Sequence, residues 1–166
     1  MIQTGTPDDI PALLAIENAS FEGDRLTRRS FQHLLSHGNA LTLIDTHDEQ
    51  PRGYVMLLFR ESSSIARIYS IATHPDWLGR GVAANLVLAA EREGLTRGNT
   101  LMRLEIRKDN LASQRLFQSR GYRIFDEYPA YYEDGEDAYR LEKSLIPHLR
   151  PERWNSSSGA KPPRSS

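Results

Sequence analysis

The chain of 166 residues contains no cysteine, no long apolar run and no excess of one charge sign. The absence of cysteine excludes disulfides, thiolate metal sites and a cysteine nucleophile. The net charge of −1 comes from interspersed acidic and basic residues, so no basic field indicates a nucleic-acid partner. The first residues lack the basic and then apolar pattern of a secretion signal, and no segment is apolar for long enough to cross a bilayer. We therefore expect a cytoplasmic protein that binds neither nucleic acid nor membranes.

The length and composition predict one globular domain followed by a tail. We place the domain at residues 1–147. Residues 148–166 are rich in serine, proline and basic side chains and have almost nothing apolar, a composition typical of disorder. His33 and His37 share a helix face, but no third ligand is evident, so we expect no metal site.

The pattern of polar and apolar residues predicts an α/β domain with the element order βααβββαβαββ. A short strand precedes two helices, of which the first begins at Pro7 and the second follows Thr27, its predicted N-cap. Short polar segments connect the next three strands, which predicts antiparallel pairing. These strands are predicted at residues 40–45, 53–59 and 65–73. A long helix begins at Gly81 and ends near Gly94 or Gly98, and the later elements are predicted at residues 101–106, 111–120, 122–128 and 138–145.

The most informative segment is residues 71–83, which read IATHPDWLGRGVA. A β-type segment leads through a turn with two glycines into an amphipathic helix. Gly79 and Gly81 allow the backbone to approach an anion closely, and the following helix points the positive end of its dipole at the same place. The segment therefore predicts a ligand that carries phosphates.

The same glycines also satisfy a relaxed dinucleotide-binding fingerprint, Gly79-x-Gly81-x-x-Ala84. Glu105 lies about 20 residues further on, where that fingerprint places a ribose-binding acid. Against this alternative, residues 74–78 separate the strand from the glycines, and the preceding strands are predicted to be antiparallel. A P-loop is excluded because no Gly-Lys-Ser or Gly-Lys-Thr follows.

The turn and the later run LEIRKDNLASQRLFQSRGY at residues 104–122 together resemble the GNAT acetyltransferases, and within them the RimI-type protein N-terminal acetyltransferases. The resemblance covers residues 1–145 and implies the GNAT fold, a mixed, mostly antiparallel twisted sheet flanked by helices. It also implies transfer of an acetyl group from acetyl-CoA to a primary amine, foremost a peptide or protein N-terminus. A small amine such as a polyamine or an amino sugar is the alternative acceptor, and a non-catalytic acyl-CoA sensor is the alternative class. We expect a monomer or a weak homodimer.

By this resemblance, acetyl-CoA binds at the turn and along the strand before it. Gly81 and Ala83 match the last two positions of the family pattern Gln/Arg-x-x-Gly-x-Gly/Ala, whereas Leu78 stands where Gln or Arg is usual. From the residues alone, Asn110 is equally well explained as a helix cap. The implied cofactor-binding residues are Ile71, Ala72, Thr73, Leu78, Gly79, Arg80, Gly81, Val82, Ala83, Asn110 and Phe117.

Attack on a thioester requires a neutral amine, and an α-amino group with a pKa of about 8 is mostly protonated at neutral pH. A base is therefore needed, and the resemblance implies Glu105 in that role. From the residues alone, Glu105 is equally well explained as a strand carboxylate paired with Arg103 or Arg107. The resemblance also implies that a backbone N–H near residues 71–73 holds the oxyanion of the tetrahedral intermediate.

The chain departs from the RimI-type pattern at Phe117, where a tyrosine usually protonates the departing thiolate. Three outcomes are open: another hydroxyl serves, the thiolate leaves unassisted because its thiol has a pKa of about 8.5, or the domain is catalytically weak. Tyr131 and Tyr132 resemble the segment that contacts the substrate N-terminus in the family, so they are the candidates for the missing hydroxyl. Packing at a sheet edge is the alternative role for either ring.

Overall fold

The domain is built around one mixed, seven-stranded sheet. The computed structural model describes residues 1–21, 23 and 25–146. The predicted tail at residues 148–166 lies outside the described residues. The predicted element order is confirmed, with 3-10 turns at Pro7–Asp9 and Pro75–Trp77. The strands are β1 (Ile2–Thr4), β2 (Ala40–His47), β3 (Gln50–Phe59), β4 (Ile65–Thr73), β5 (Leu101–Arg107), β6 (Arg123–Tyr128) and β7 (Ala138–Ser144), and the helices are α1 (Ile10–Ser20), α2 (Arg28–Ser36), α3 (Val82–Thr96) and α4 (Leu111–Gln118).

The sheet consists of two antiparallel halves joined by one parallel pair. Its strand order is β1-β2-β3-β4-β5-β7-β6. The predicted antiparallel pairing of β2, β3 and β4 is confirmed. β4 and β5 are parallel, because α3 carries the chain back to the edge from which β4 started.

Each face of the sheet has its own apolar core. Val55 and Leu57 of β3 belong to the core under α3 and α4, whereas Tyr54 and Met56 belong to the core under α1 and α2. This alternation follows from the two-residue period of a strand, which sends neighbouring side chains to opposite faces.

The strands β4 and β5 separate halfway along their length. They pair only from Ile65 with Leu101 to Ile68 with Leu104 in the part of the chain that the structure describes. At the same level β3 pairs Leu57 with Ile68 and Met56 with Ser70, so Tyr69 is an additional, bulged residue of β4. A bulge bends its strand. The bend and the lost pairing open a gap between β4 and β5.

Several predicted boundaries were wrong by one to three residues. Strand β3 begins at Gln50 rather than at residue 53, because Asp48 and Glu49 alone form the connecting turn. Both have positive φ, 50° and 64°, as a two-residue hairpin of type I′ requires. Helix α4 ends at Gln118, before the predicted residue 120.

The predicted cap at Thr27 is confirmed, and its removal is expected to weaken the domain slightly. The Thr27 hydroxyl accepts a hydrogen bond from the Ser30 N–H at 3.1 Å. Replacement by alanine is expected to lower the free energy of unfolding by about 0.5–2 kcal/mol, as measured by urea denaturation. Ser36→Ala, an exposed change at the other end of α2, is expected to cost less than about 0.5 kcal/mol. Equal losses in the two variants would contradict the capping role.

Candidate active site

The glycine turn joins the end of β4 to the start of α3. Gly79 and Gly81 have φ values of +76° and +77°, in the left-handed region that glycine adopts without strain. A Cβ added to either residue would meet no described atom within 4 Å. Glycine is therefore favoured by the backbone conformation of the turn and not by a lack of space for a side chain. Leu78 and Arg80 are exposed beside them. The turn therefore presents open backbone to an incoming ligand.

Helix α3 begins directly after Gly81, its N-cap. The N–H groups in the first turn of a helix have no partner within the helix and form an anion-binding site. Val82 and Ala83 lie in this turn; the Val82 side chain is buried in the core, so only its backbone can face a ligand.

Gly53 of β3, which the sequence analysis treated only as a strand residue, allows α3 to begin so close to the sheet. A Cβ at Gly53 would lie 2.7 Å from the Ala72 carbonyl oxygen and 2.9 Å from Cγ1 of Val82. Glycine within a strand pattern is a known signal of such a close approach.

A cavity of about 550 Å³ occupies the gap between β4 and β5. Ile71 and Glu105 line it from the two strands, and Asn110 and Phe117 line it from α4 and its cap. Tyr132 lines it from the loop before β7. Five of the residues predicted for cofactor binding or catalysis therefore lie around one space.

A smaller cavity of about 260 Å³ adjoins the first. Leu26, Arg67 and Tyr131 line only this smaller space. Five residues line both spaces, namely Tyr69, Ser70, Glu105, Tyr132 and Glu133. Two ligands that occupy the two cavities would meet at these shared residues.

The predicted cofactor strand, residues 71–73, divides between the two faces of the sheet. Ile71 contacts the core under α3 and lines the larger cavity. Ala72 is buried in the core under α1 and α2, so only its backbone can touch a ligand. The Thr73 carbonyl accepts a hydrogen bond from the Ser20 hydroxyl at 3.1 Å, which ties the end of β4 to α1.

Asn110 and Phe117 stand at opposite ends of α4. Asn110 is the N-cap, because its Oδ1 accepts a hydrogen bond from the Ser113 N–H at 3.1 Å. It also lines the larger cavity, so capping does not compete with ligand contact. Phe117 is buried edge-to-face against Tyr122, with ring centroids 5.1 Å apart, and offers no hydroxyl to the cavity.

Glu105 is an ion-paired carboxylate, but the partners suggested from the sequence were wrong. Its side chain is 7% exposed and accepts hydrogen bonds from Arg67 Nη2 and, at 3.5 Å, from Arg140 Nε. Arg140 lies directly opposite Glu105 on β7. Cross-strand neighbours are closer than side chains two residues apart on one strand.

The two arginines proposed as partners contact other carboxylates. Arg103 lies opposite Glu142 and donates to it at 2.8 Å. Arg107 donates to Asp109 and to Asp134. Hydrogen bonds from Arg107 lower the pKa values of both aspartates. Arg107 thereby fastens the acidic loop, residues 133–137, beside the larger cavity.

Tyr131 and Tyr132 lie where the acidic loop meets the two cavities. The Tyr131 hydroxyl accepts a hydrogen bond from Arg67 Nη2 at 3.0 Å, and its ring stacks on Tyr128. Tyr132 contacts Tyr131 edge-to-face, with the Arg107 guanidinium 5.0 Å from its ring centroid. Tyr132 reaches both cavities and Tyr131 only the smaller one.

A buried hydrogen-bond chain, which the sequence pattern did not predict, begins at Glu17 in the wall of the larger cavity. Glu17 of α1, 1% exposed, accepts hydrogen bonds from the Leu26 N–H at 2.7 Å and from the Tyr54 hydroxyl. The Tyr54 oxygen lies 2.8 Å from Oγ of Ser70. Burial raises the pKa of Glu17, and burial together with the Glu17 charge raises the pKa of Tyr54. Glu17 follows Ile10 and Leu13 at helical spacing, so its place on the buried face of α1 could have been predicted.

Residues 10–122 match the family model described as Acetyltransferase (GNAT) family. The chain is a GNAT acetyltransferase. Over 149 residues it is 29% identical to the catalytic subunit NAA10 of the N-terminal acetyltransferase A complex of Arabidopsis thaliana, an alignment that covers 87% of this chain and 77% of that protein.

Two solved structures have the same GNAT fold. The Escherichia coli ribosomal-protein-S18-alanine N-acetyltransferase superposes with a TM-score of 0.80 at 23% identity, covering 87% of this chain and 93% of that one. Ard1 from Thermoplasma volcanium gives a TM-score of 0.81 at 23% identity, covering 88% and 97%. The predicted fold and family are thereby confirmed, and the chain is an N-acetyltransferase.

None of the helices described for this GNAT domain is long and apolar enough to cross a membrane. The His33 and His37 rings contact each other at a tilt, with centroids 3.9 Å apart and an interplanar angle of 41°. The described residues include no group of three or more side chains suited to a metal ion.

Proposed function

We propose that this GNAT domain transfers the acetyl group of acetyl-CoA to the α-amine of a peptide or protein N-terminus. The observation that carries the proposal is the pair of adjoining cavities that meet at Glu105. The larger cavity suits the acetyl end of the cofactor. The smaller one, at about 260 Å³, lies below the 300–1,000 Å³ typical of pockets that enclose a whole small ligand. It therefore suits the end of a chain whose remainder stays outside.

In this proposal the cofactor lies along the splayed part of β4. Backbone N–H groups of Gly79, Gly81 and the start of α3 hold the pyrophosphate, favoured by the helix dipole. Ile71 contacts the pantetheine group of the cofactor, and Asn110 and Phe117 contact the cofactor from the two ends of α4. A backbone N–H among residues 71–73 donates to the oxyanion of the tetrahedral intermediate.

Glu105 is the proposed general base. It lies in the wall common to both cavities, so it is within reach of a nitrogen that attacks a carbonyl carbon between them. Arg67 and Arg140 orient its carboxylate from two sides. The base accepts a proton from the amine nitrogen as the C–N bond forms.

The names of the relatives favour a protein acceptor over a small amine, because the plant relative is named as part of an N-terminal acetyltransferase complex and the bacterial structure as a ribosomal-protein-S18-alanine N-acetyltransferase. Thiol release from acetyl-CoA should be measured with the full chain over peptides with free N-termini, N-terminally blocked lysine peptides, polyamines and aminoglycosides. We expect turnover with the free N-termini. Turnover confined to polyamines or aminoglycosides would show that the acceptor is a small amine and not a peptide. Binding of acetyl-CoA without turnover on any amine would indicate a sensor module.

Tyr132 is the proposed source of the proton that Phe117 cannot supply. Its replacement by phenylalanine is expected to lower kcat by about 10-fold or more, since general acid catalysis contributes at least that much when it operates. Tyr131→Phe is the matched comparison and is expected to lower kcat less, because Tyr131 reaches only the smaller cavity. Steady-state kinetics on a peptide acceptor measure both. An unchanged kcat in Tyr132→Phe would indicate that the thiolate leaves without a proton from this tyrosine.

A further inference from the structure

The reaction proposed above removes two protons from the acceptor nitrogen. An ammonium group and the thioester give an amide, a free thiol and one proton: the C–N bond forms, the C–S bond breaks, and the thiolate takes one of the two protons. At neutral pH an α-amine with a pKa of about 8 arrives mainly as the ammonium. One proton must therefore leave before attack and a second during or after it, so the site needs two proton acceptors.

We propose that Ser70, Tyr54 and Glu17 form a proton relay that accepts the first of these protons from the bound ammonium group, while Glu105 accepts the second, which replaces the proton that Tyr132 gives to the thiolate. The inference rests on the proposed function, because it requires an amine acceptor in the smaller cavity. Ser70 and Glu105 stand on β4 and β5, the two strands that separate around the cavities, and both line both spaces.

The directions of the hydrogen bonds follow from the chemistry of the groups. A carboxylate can only accept, so the Tyr54 hydroxyl donates to Glu17. The Tyr54 oxygen is then left to accept, and the Ser70 hydroxyl donates to it across 2.8 Å. The remaining lone pairs of Oγ of Ser70 are free to accept a proton from a nitrogen in the cavity.

Proton transfer along this chain moves three hydrogens by one bond each. The ammonium proton passes to Ser70, the Ser70 hydrogen to Tyr54, and the Tyr54 hydrogen to Glu17. The amine becomes neutral, Glu17 becomes a carboxylic acid, and both hydroxyls are restored. The same chain returns the proton to the cavity and to solvent after the product leaves, so each turnover ends with Glu17 ionised again.

The surroundings of Glu17 suit the role of terminal acceptor. Burial raises its pKa towards that of an amine, which makes the transfer less unfavourable, whereas the hydrogen bonds from Leu26 and Tyr54 and the charge of Arg25 act in the opposite direction. Tyr69 faces Tyr54 from β4. Across the larger cavity stand the other charged side chains of its wall, Glu105, Arg107, Glu133 and Asp134.

The test is the pH profile of kcat/KM for a peptide with a free N-terminus, measured on the full chain between pH 6 and 9.5. Without the relay only the neutral amine already present in solution can react. That fraction is about 3% at pH 6.5 for a pKa of about 8. Ser70→Ala is therefore expected to lose about 30-fold in kcat/KM at pH 6.5 and to approach the wild type above about pH 9.

Companion variants separate the relay from a merely structural role. Tyr54→Phe and Glu17→Gln are expected to show the same pH-dependent loss, and Glu17→Gln combined with Ser70→Ala to lose no more than either alone, because both interrupt one chain. Ser70→Thr keeps the hydroxyl and is expected to restore activity at pH 6.5. Tyr122→Phe removes a second buried tyrosine–glutamate hydrogen bond, that of Tyr122 with Glu91 at 2.8 Å, whose partners do not line either cavity, and it is expected to leave the profile unchanged.

The outcomes distinguish this inference from the function on which it rests. A wild-type chain that acetylates the peptide, together with a Ser70→Ala variant that is fully active at pH 6.5 or equally impaired at every pH, would overturn the relay alone. A wild-type chain that acetylates no amine would overturn the proposed function and the relay with it.

Discussion

Replacing Glu105 by glutamine is expected to lower kcat by about 10²- to 10⁴-fold, the range that general base catalysis usually contributes. The amide keeps the size of the side chain but accepts no proton from the attacking nitrogen. The dissociation constant for acetyl-CoA is expected to remain unchanged, because the proposed cofactor contacts lie on the glycine turn, β4 and α4. Steady-state kinetics on a peptide acceptor and calorimetric titration with acetyl-CoA measure the two effects separately.

Glu127→Gln is the control for this change. Glu127 is a β6 carboxylate paired with Lys108 at 3.1 Å, and it lines neither cavity. The Glu127→Gln replacement removes one negative charge and one ion pair outside the site, so the kcat of this variant is expected to match that of the wild type. Glu105→Asp keeps the charge and is expected to retain more activity than Glu105→Gln. A fully active Glu105→Gln variant between pH 6 and 9 would show that the base lies elsewhere.

Replacing Gly81 by valine is expected to raise the dissociation constant for acetyl-CoA by about 10- to 100-fold. A β-branched residue does not adopt the positive φ of this position without strain, so the backbone shifts and the N–H groups of the turn move away from the pyrophosphate. Hydrogen bonds to charged groups contribute about 1.5–3 kcal/mol each, and the loss of one such bond corresponds to the expected change. Calorimetric titration with acetyl-CoA measures it.

Gly98→Val is the matched control, because Gly98 follows the other end of α3. Its φ is +86°, and an added Cβ would likewise meet no described atom within 4 Å. The two variants should lose similar stability, and only Gly81→Val should lose affinity. Equal dissociation constants for the two variants would contradict a phosphate site at the turn.

Much of the fold could be predicted because the decisive signals are local. The Thr27 cap, the glycine turn and the short polar connections of the first sheet half each depend on neighbouring residues, and each appears in the structure as expected. The start of β3 was misplaced because Glu49 takes a positive φ in a tight turn that is dominated by glycine, asparagine and aspartate.

The site was only partly predictable because its chemistry depends on strand register. Glu105 was recognised as a candidate, but its partners Arg67 and Arg140 lie on neighbouring strands, 38 and 35 residues away along the chain. Ser70 was hidden within a β pattern, and its contact with Tyr54 depends on how β3 and β4 pair around the bulge at Tyr69. Such contacts cannot be derived from a local pattern.

In the function proposed here, this chain acetylates the α-amine of a polypeptide. Its most direct test uses two forms of one peptide: a free N-terminus with every lysine already acetylated, and a blocked N-terminus with the lysines free. Each is incubated with acetyl-CoA and the full chain, and the products are identified by mass spectrometry. We expect a gain of one acetyl group on the first form only, and we expect Glu105→Gln to abolish it. Acetylation of the second form alone, or of neither, would contradict it.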